Sequence, residues 1–269
     1  MGRAFYKMSG SGNDFVVFVA TEGPFENLES VESIRSMCAR RTGIGADGAV
    51  FLEPAGNGVV RMRYYNADGS RAAFCGNASL CSTRLSLELG LAAGDFVLDT
   101  DSGRLPARIV DRLPEIELQP VKDLDTESVQ MTREPGESKI GFALVGVPQL
   151  VVEVPDLEGV DFSRRGAELR SHPSLADGAN VNFVAKRGGE WAYRTFERGV
   201  EGETLACGSG AVATAVLLAK WGQAGSTTSL QTRSGKPLLV RHREAGGEIW
   251  PSLSGEGRIV YRGEIRDLR

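Results

Sequence analysis

The sequence predicts an α/β (α+β) protein of two similar halves, each a curved, mostly antiparallel β-sheet rolled around a central helix. The length of 269 residues fits two domains of about 130 residues. A single shift of 132 residues, from Cys75 to Cys207, brings the two halves into register. The period is far too long for a solenoid, and two copies suggest a pseudo-two-fold arrangement with an active site in the cleft between them.

The predicted elements follow the same order in both copies. Strands at residues 59–65 and 191–196 lead to the cysteines, helices follow at 77–89 and 209–221, and strands come next at 95–100 and 228–232. The register holds without a gap over the pairs Tyr64 and Phe196, Leu85 and Leu217, Gly90 and Gly222, Leu98 and Leu230, and Gly103 and Gly235. Asn77 and Ser209 suit an N-cap or first turn, and Gly90 and Gly222 suit helix ends.

The two helices differ in character. Residues 211–219 are apolar nearly all round, which predicts a helix buried inside a curved sheet, whereas residues 78–89 read as more amphipathic. Residues 28–41 have helical character and are expected as an outer insertion. We expect a crossover at 114–120 and a final strand within 255–269. The predicted domains are an N-terminal half, 1–117 with 256–269, and a C-terminal half, 118–255.

The composition points to a cytoplasmic enzyme or binding protein. The formal charge is −4, and no block of like charges provides a footprint for nucleic acid or for an anionic membrane. The N-terminus lacks the apolar core of a signal peptide, and no apolar run approaches the roughly 18 residues of a membrane span. We therefore expect neither a nucleic-acid nor a membrane partner.

The reactive residues are scarce. His172 and His242 lie in unrelated polar segments, which leaves little material for a histidine zinc site or a histidine-centred triad. The cysteines contain no C-x-x-C pair, so we expect no metal site and four reduced thiols. Cys38 and Cys81 have no cysteine at the shifted position and are expected to be small buried hydrophobes.

Cys75 and Cys207 are different, because each lies where a loop turns into a helix and each precedes a glycine. A helix N-terminus favours a thiolate, and its N–H groups bind a carboxylate that glycine allows to approach. Two such thiols around one anion site suit the removal of a proton from one face of a carbon and its return on the other. Racemases and epimerases need such a pair.

The chain contains the segments Gly10-Ser11-Gly12-Asn13-Asp14-Phe15, Tyr65-Asn66-Ala67-Asp68-Gly69-Ser70, Cys75-Gly76-Asn77, Gly178-Ala179-Asn180-Val181-Asn182-Phe183 and the run from Glu197-Arg198-Gly199 to Cys207-Gly208-Ser209-Gly210. With these segments the sequence resembles the diaminopimelate epimerase family over nearly its whole length. The resemblance implies a cofactor-independent isomerase of lysine and peptidoglycan precursor biosynthesis that interconverts LL- and meso-2,6-diaminopimelate. It also implies a homodimer with an amino-acid substrate.

The resemblance implies a role for each matching residue. Cys75 and Cys207 are the acid and base, either being thiolate while the other is thiol. The substrate-binding positions are Asn13, Asn66, Gly76, Asn77, Asn180, Glu197, Arg198, Gly208 and Ser209. Of these, the pairs Gly76-Asn77 and Gly208-Ser209 are implied to cradle the α-carboxylate. Glu197 is also implied to modulate the nearby thiol, and for Asn66 and Asn180 a turn role is the alternative.

One segment departs from the family pattern. Where many members have Gly-Asn-Pro-His, this chain has Gly146-Val147-Pro148-Gln149. Val147 donates no side-chain hydrogen bond, and Gln149, at the position that modulates the thiol pKa, does not titrate. Two alternatives stay open: a related two-thiol racemase with a different substrate, and a two-lobed amino-acid binding protein without catalysis.

A second motif is read as structural. Residues 43–48 match G-x-G-x-x-G, but a helix-like segment precedes them and a strand-like segment follows. This order is the reverse of the dinucleotide-binding fingerprint. We expect a tight turn between helix and strand. No phosphate-binding loop of the Walker type accompanies a lysine, which disfavours a pyridoxal enzyme.

Overall fold

A computed structural model describes residues 2–128 and 130–266. The chain divides into two compact units. Unit 1 comprises Met1–Ile116 with Ser254–Arg269, and unit 2 comprises Glu117–Leu253. No helix among the described residues is long and apolar enough to cross a membrane.

The helices and strands are as follows, in chain order. Among the described residues the four α-helices are α1 Val31–Cys38, α2 Gly76–Glu88, α3 Phe162–Arg170 and α4 Gly208–Lys220. The first nine strands are β1 Arg3–Gly10, β2 Asn13–Val19, β3 Gly48–Gly56, β4 Val59–Asn66, β5 Arg71–Ala72, β6 Phe96–Thr100, β7 Gly103–Val110, β8 Leu113–Glu117 and β9 Lys122–Asp125. The others are β10 Lys139–Val145, β11 Val147–Glu153, β12 Asn180–Arg187, β13 Glu190–Glu197, β14 Gly202–Thr204, β15 Thr227–Gln231, β16 Pro237–Ala245, β17 Glu248–Ser254 and β18 Arg258–Ile265.

The strands of each unit are paired in the same pattern. In unit 1 the pairing runs β18–β1–β2–β3–β4–β6–β7–β8, and β5 is hydrogen-bonded to β4. In unit 2 it runs β9–β10–β11–β12–β13–β15–β16, and β14 is hydrogen-bonded to β13. The parallel pairs are β2–β3 and β4–β6 in unit 1, and β11–β12 and β13–β15 in unit 2. The other pairs are antiparallel, which confirms the predicted mostly antiparallel sheets.

A central helix lies against the sheet of each unit. Helix α2 contacts β1, β2, β3, β4, β7 and β18, and α4 contacts β10, β11, β12, β15 and β16. A straight helix touches strands spread so widely only if the sheet curves around it. Each helix has 13 residues and is followed by a glycine with a left-handed backbone, Gly90 at φ +67° and Gly222 at φ +73°. These glycines end the helices as predicted.

The prediction that α2 is more amphipathic than α4 is not matched by its burial. Ten of its thirteen residues are buried, as in α4. Its buried hydroxyls donate to backbone carbonyls one turn earlier: Ser79 to Cys75 at 3.0 Å, Ser82 to Ala78 at 2.8 Å and Thr83 to Ser79 at 2.9 Å. A hydroxyl satisfied inside its own helix has a small cost of burial, so serine and threonine here do not mark a solvent face.

The other predicted helices and turns differ from the observed ones mainly in the residues at which they begin and end. Both central helices begin one residue earlier than predicted, because the cysteine itself is the N-cap. Of the segment 28–41, only α1 is α-helical, and the hydroxyl of Ser30 caps it by accepting from the Ser33 N–H at 3.1 Å. The G-x-G-x-x-G segment connects α1 to β3, as expected.

The two ends of unit 1 meet in one sheet. Strand β18 pairs antiparallel with β1, which confirms the predicted final strand, although residues 267–269 of that prediction lie outside the described residues. The expected crossover at 114–120 is in part a strand, since β8 extends to Glu117 and pairs with β7.

Candidate active site

The two predicted catalytic cysteines have the same local structure in their own units. Cys75 is the N-cap of α2 with φ −147° and ψ 113°, and Cys207 is the N-cap of α4 with φ −127° and ψ 112°. The first-turn N–H groups of a helix have no partner within the helix, so each cysteine lies beside a set of donors with a positive electrostatic potential. Cys75 is half-buried and Cys207 is buried. The arrangement suits a thiol next to an anion in both units.

In unit 1, the structure brings Asn13 and Asn77 together. Asn77 is the second residue of α2, and its Nδ2 donates to Asn13 Oδ1 at 2.6 Å. Asn13 begins β2 and donates from Nδ2 to Asp47 Oδ2 at 3.0 Å. Both ends of the Asn13 amide are therefore hydrogen-bonded, one of them to Asn77, which lies two residues after Cys75.

A charged cluster lies behind Asn13. Asp14 accepts from Lys7 Nζ at 2.6 Å and from Arg40 Nη2 at 2.8 Å, and Arg40 also reaches Asp47 at 2.6 Å. Burial opposes ionisation of Asp14, but the hydrogen bonds from Arg40 and Lys7 prevail and lower its pKa. Lys7 also donates to the carbonyl of Gly45. The G-x-G-x-x-G segment thus belongs to the scaffold that orients Asn13.

Asn66 lies in a turn. Its backbone N–H donates to the Ser70 carbonyl at 2.9 Å, and its Nδ2 donates to Ser70 Oγ at 3.0 Å. The Gly69 N–H in turn donates to the Asn66 carbonyl at 2.9 Å. This geometry matches the turn alternative, and a substrate contact of Asn66 stays a prediction.

In unit 2, Gln149 is connected to Cys207 through Ser209. Gln149 is fully buried on β11, and its Nε2 donates to Ser209 Oγ at 3.0 Å. Ser209 Oγ lies 3.5 Å from Cys207 Sγ, and either atom could be the donor. A neutral hydrogen-bonded path therefore reaches the thiol from the position at which the resemblance implies a histidine.

Sequence reasoning did not single out Asn182, which orients Gln149. Asn182 Nδ2 donates to Gln149 Oε1 and to the Leu150 carbonyl, both at 2.9 Å, and its Oδ1 accepts from Thr195 at 2.7 Å. A Cβ atom on Gly210 would lie 2.1 Å from Asn182 Oδ1, so this position of α4 accepts only glycine without a shift. The signal in the sequence was the two-residue spacing of Asn180 and Asn182, which places both on one face of a strand.

Asn180 and Arg198 are also brought together. Asn180 Oδ1 accepts from the Arg198 backbone N–H at 2.8 Å, while its Nδ2 lies 3.9 Å from Cys207 Sγ. Arg198 Nη1 donates to the Asp177 carbonyl at 2.8 Å. Glu197 is the last residue of β13 and precedes Arg198. Asn180 is therefore next to the thiol, rather than only in a turn.

Val147 and Asn13 occupy matching places in the two units. Each is the first residue of a strand that belongs to a parallel pair, β11–β12 for Val147 and β2–β3 for Asn13. Two residues further on, Gln149 pairs with Asn180, as Phe15 pairs with Gly48. Val147 is 36% exposed and apolar where its counterpart is a hydrogen-bonded asparagine.

Cys38, Cys81 and His242 take part in none of the hydrogen bonds described above, although Cys38 lies near the charges of the cluster behind Asn13 and Cys81 lies near Cys75. Burial raises the pKa of the Cys38 thiol to about 12, and it raises that of Cys81 further. Burial lowers the pKa of His242. In the described ranges no cluster of three or more histidine, cysteine, aspartate or glutamate side chains has the arrangement of a metal site. Cys38 and Cys81 are small buried hydrophobes, as predicted.

Solved structures with this fold include several enzymes of distant sequence. A PhzF-family phenazine biosynthesis protein from Bacillus anthracis has a TM-score of 0.76 at 13% identity, covering 99% of this chain and 100% of that one. A hydroxyproline epimerase from Agrobacterium vitis, with bound trans-4-OH-L-proline, has a TM-score of 0.69 at 17% identity, covering 98% and 92%. At these identities the likeness shows the fold alone, and it confirms the predicted two-domain α+β class.

Relatives of closer sequence identify the family. The diaminopimelate epimerase of Gemmatimonas aurantiaca is 46% identical over 277 aligned residues, covering 98% of this chain and 100% of that protein. That of Chlorobaculum tepidum is 36% identical over 261 residues, covering 96% and 99%. The family described as diaminopimelate epimerase matches residues 5–121 and 141–264. With this coverage, and with a cysteine at the start of the central helix in each unit, the chain belongs to the diaminopimelate epimerase family.

Proposed function

We propose that this protein is a cofactor-independent isomerase that interconverts LL- and meso-2,6-diaminopimelate. The observation that carries the proposal is the matched pair Cys75 and Cys207, each the N-cap of a central helix and each followed by glycine, in a chain of this family. The reaction belongs to lysine and peptidoglycan precursor biosynthesis, and we place it in the cytoplasm.

The proposed chemistry is a two-base proton transfer at one α-carbon. The thiolate of one cysteine takes the α-proton and becomes a thiol, and the electron pair of the broken C–H bond stays on the substrate. The thiol of the other cysteine then donates its proton to the opposite face and becomes a thiolate. The product has inverted configuration, and the enzyme is left with the two protonation states exchanged, ready for the reverse direction.

The α-carboxylate must be neutralised before the α-proton becomes acidic enough to remove. We assign this role to the first-turn N–H groups of Gly76-Asn77 and Gly208-Ser209. Glycine directly after each cysteine allows close approach of the anion to the backbone. The amide of Asn13, oriented by Asn77 and Asp47, would add a side-chain donor or acceptor at the start of α2.

The distal amino-acid end of the substrate carries both charges, and we assign its recognition to Asn66, Asn180, Glu197 and Arg198. The planar fork of arginine suits a carboxylate, whereas asparagine and glutamate accept from an ammonium group. We further propose that Glu197 and Gln149 modulate the thiol of Cys207. For Gln149 the support is its hydrogen bond to Ser209.

The test of this proposal is the separate replacement of each cysteine, with the buried Cys38→Ala as the matched control. We expect Cys75→Ala and Cys207→Ala to abolish epimerisation of LL-diaminopimelate while substrate binding largely survives, and Cys38→Ala to remain active. Exchange of the α-hydrogen with deuterated solvent reports proton transfer directly. Full activity of either active-site variant would refute the two-base mechanism, and binding without exchange would favour the two-lobed binding protein.

The exposed apolar side chain of Val147 favours one alternative, a two-thiol racemase with a different substrate. Turnover of LL-diaminopimelate compared with a panel of L-amino acids separates the two. Activity only on a monocarboxylic amino acid would replace the first proposal. We also propose a homodimer, as the family resemblance implies, and sedimentation equilibrium of the purified protein tests it.

A further inference from the structure

The phenol of Tyr193 bridges both backbone polar groups of Cys207. Its hydroxyl donates to the Cys207 carbonyl at 2.9 Å and accepts from the Cys207 N–H at 3.3 Å. Tyr193 lies on β13 and is only 2% exposed. Burial, reinforced by the nearby thiol, raises the pKa of Tyr193 well above its ordinary value, so the phenol keeps its proton and remains a donor.

In unit 1 different residues occupy the places that correspond to Tyr193 and its neighbour on the helix. The strand pairing makes Met62 on β4 the counterpart of Tyr193 on β13, because Val60 pairs with Leu98 as Trp191 pairs with Leu230, and each lies two positions further along its strand. These two strands therefore match at a shift of 131, one residue less than the shift of 132 that the sequence predicted for Tyr64 and Phe196. Ser79 is the fourth residue of α2, and Ala211 is the fourth residue of α4. The pair Met62 and Ser79 in unit 1 is therefore replaced by Tyr193 and Ala211 in unit 2.

The hydroxyl that supports the cysteine changes position between the two pairs. In unit 1, Ser79 Oγ donates to the Cys75 carbonyl at 3.0 Å and lies 3.8 Å from Met62 Sδ. In unit 2 the helix has alanine at this place, and the hydroxyl comes from the strand. Ser79 contacts the carbonyl of Cys75, whereas the phenol contacts both the carbonyl and the N–H of Cys207.

We propose that Tyr193 is a positioning residue for Cys207, in the place where unit 1 uses the helix residue Ser79 at Cys75. This inference rests on the proposed function for its catalytic consequence. A two-point contact fixes the N-cap peptide and so the direction in which the thiol leaves the helix. It also engages the Cys207 N–H, which leaves the substrate carboxylate to the N–H groups of Gly208 and Ser209.

The first test is Tyr193→Phe, with Tyr6→Phe as the matched control, because the Tyr6 phenol is bonded to Glu22 in unit 1 at 2.8 Å. We expect Tyr193→Phe to lower kcat about tenfold, the effect of one hydrogen bond of ordinary strength, and to change KM less than twofold. Tyr6→Phe should leave both constants unchanged. A kcat within twofold of the parent protein in a folded Tyr193→Phe variant would overturn the proposal.

The second readout is the alkylation rate of each cysteine as a function of pH, resolved by mass spectrometry of the peptides. In Tyr193→Phe the midpoint for Cys207 should move to higher pH, because a loosened N-cap holds the thiol less well at the positive end of α4, while that for Cys75 stays unchanged. Ser79→Ala should show the reverse selectivity. Unchanged profiles at Cys207 would contradict the proposal.

A third variant transplants the arrangement of unit 1 into unit 2. Tyr193→Met with Ala211→Ser supplies a hydroxyl from α4, and we expect it to recover at least half of the kcat lost in Tyr193→Met alone. If Tyr193→Phe does not fold, the kcat and the alkylation profile of the double variant decide, and absence of recovery counts against the proposal. The alkylation profile does not require epimerisation, so an active Cys207→Ala would refute the proposed function while the alkylation result still tests the role of Tyr193.

Discussion

Gln149 donates a 3.0 Å hydrogen bond to the hydroxyl of Ser209, the second residue of α4. The second residue of α2, Asn77, is likewise bonded at 2.6 Å to Asn13 on β2. In both units, therefore, a side-chain hydrogen bond connects the first turn of the cysteine-bearing helix to one strand, β2 in unit 1 and β11 in unit 2. The residues differ, but the attachment is the same, and it positions the N–H groups that we assign to the carboxylate.

Replacing Gln149 tests the hydrogen-bonded path to Cys207. We expect Gln149→Leu to lower the free energy of unfolding by about 1 to 3 kcal/mol, because it removes an acceptor from the buried amide of Asn182. Gln149→His introduces a group that titrates between about pH 5 and 8, and kcat should acquire a new pH dependence in that range. Urea unfolding and a pH–rate profile measure the two effects. An unchanged profile in a folded Gln149→His variant would argue against any influence of this position on the thiol.

We predict that Gly210 cannot be replaced without a shift, because any side chain at this position would clash with Asn182. An alanine Cβ would lie 2.1 Å from Asn182 Oδ1, and the amide is held by three hydrogen bonds, so Gly210→Ala must shift the start of α4. We expect a loss of about 1 to 3 kcal/mol in stability and a large loss of activity. Gly225→Ala is the control, since no atom lies within 4 Å of its added Cβ. Equal behaviour of the two variants in thermal unfolding would show that the contact is unimportant.

The four thiols should differ sharply in reactivity. Burial raises the pKa of Cys38 to about 12 and that of Cys81 further, so neither is a thiolate at pH 8. We expect a colorimetric thiol reagent to titrate at most Cys75 and Cys207 in the folded protein, and all four after unfolding in urea. Rapid reaction of Cys38 or Cys81 under native conditions would contradict the burial described above.

The same burial predicts an alkaline loss of stability. A thiol whose pKa is raised by folding stabilises the folded state below its unfolded value, about 8.5, and loses that contribution as the pH rises through its folded value. For Cys38 the window extends from about pH 9 to about 12. Urea unfolding across this window should show stability falling with pH, and falling less steeply in Cys38→Ala.

Asp14→Asn should be destabilising in a pH-dependent way. The pKa of Asp14 is lowered in the folded state, so its contribution is present above the unfolded value of about 3.9 and is lost as the pH falls through the folded value. At pH 7 the variant leaves Lys7 buried beside an uncharged amide, and we expect a loss of about 2 to 4 kcal/mol. The difference from the parent protein should shrink as the pH falls below 4.

Asp101→Asn provides the control for the ionic contribution of Asp14. Asp101 pairs with Arg71 at 2.5 Å, but both side chains are substantially exposed, so the expected loss is at most about 1 kcal/mol. Urea unfolding at pH 7 ranks the two variants. Equal losses would show that the cluster behind Asn13 contributes no more than a surface ion pair.

Much of the architecture could be predicted from the sequence because it depends on local signals. Gly90 and Gly222 end helices because glycine adopts a left-handed backbone at little cost. The four strands predicted around the central helices, and both central helices, follow from periodicity, with errors of about one residue at their ends. The contrast expected between α2 and α4 is absent from their burial, because the hydroxyls of Ser79, Ser82 and Thr83 bond to the carbonyls of their own helix.

The contacts around the cysteines could not be predicted, because their members are far apart in the chain. Gln149 and Ser209 are 60 positions apart, and Tyr193 and Cys207 are 14 apart. Whether these side chains meet depends on which strands pair and in which register. A slip of one residue in β13 would turn Tyr193 to the other face of the sheet.

The sequence by itself determined the two-fold repeat, the mixed class of the fold, the placement of Cys75 and Cys207 at helix starts, and the family. Only the tertiary structure decided how each helix start is held: Asn77 by Asn13 in unit 1, and Ser209 by Gln149 and Cys207 by Tyr193 in unit 2. The physical reason is that a repeat preserves the backbone geometry of a duplicated unit, whereas a buried hydrogen bond requires two particular side chains to meet. The two units satisfied that requirement with different residues at corresponding places.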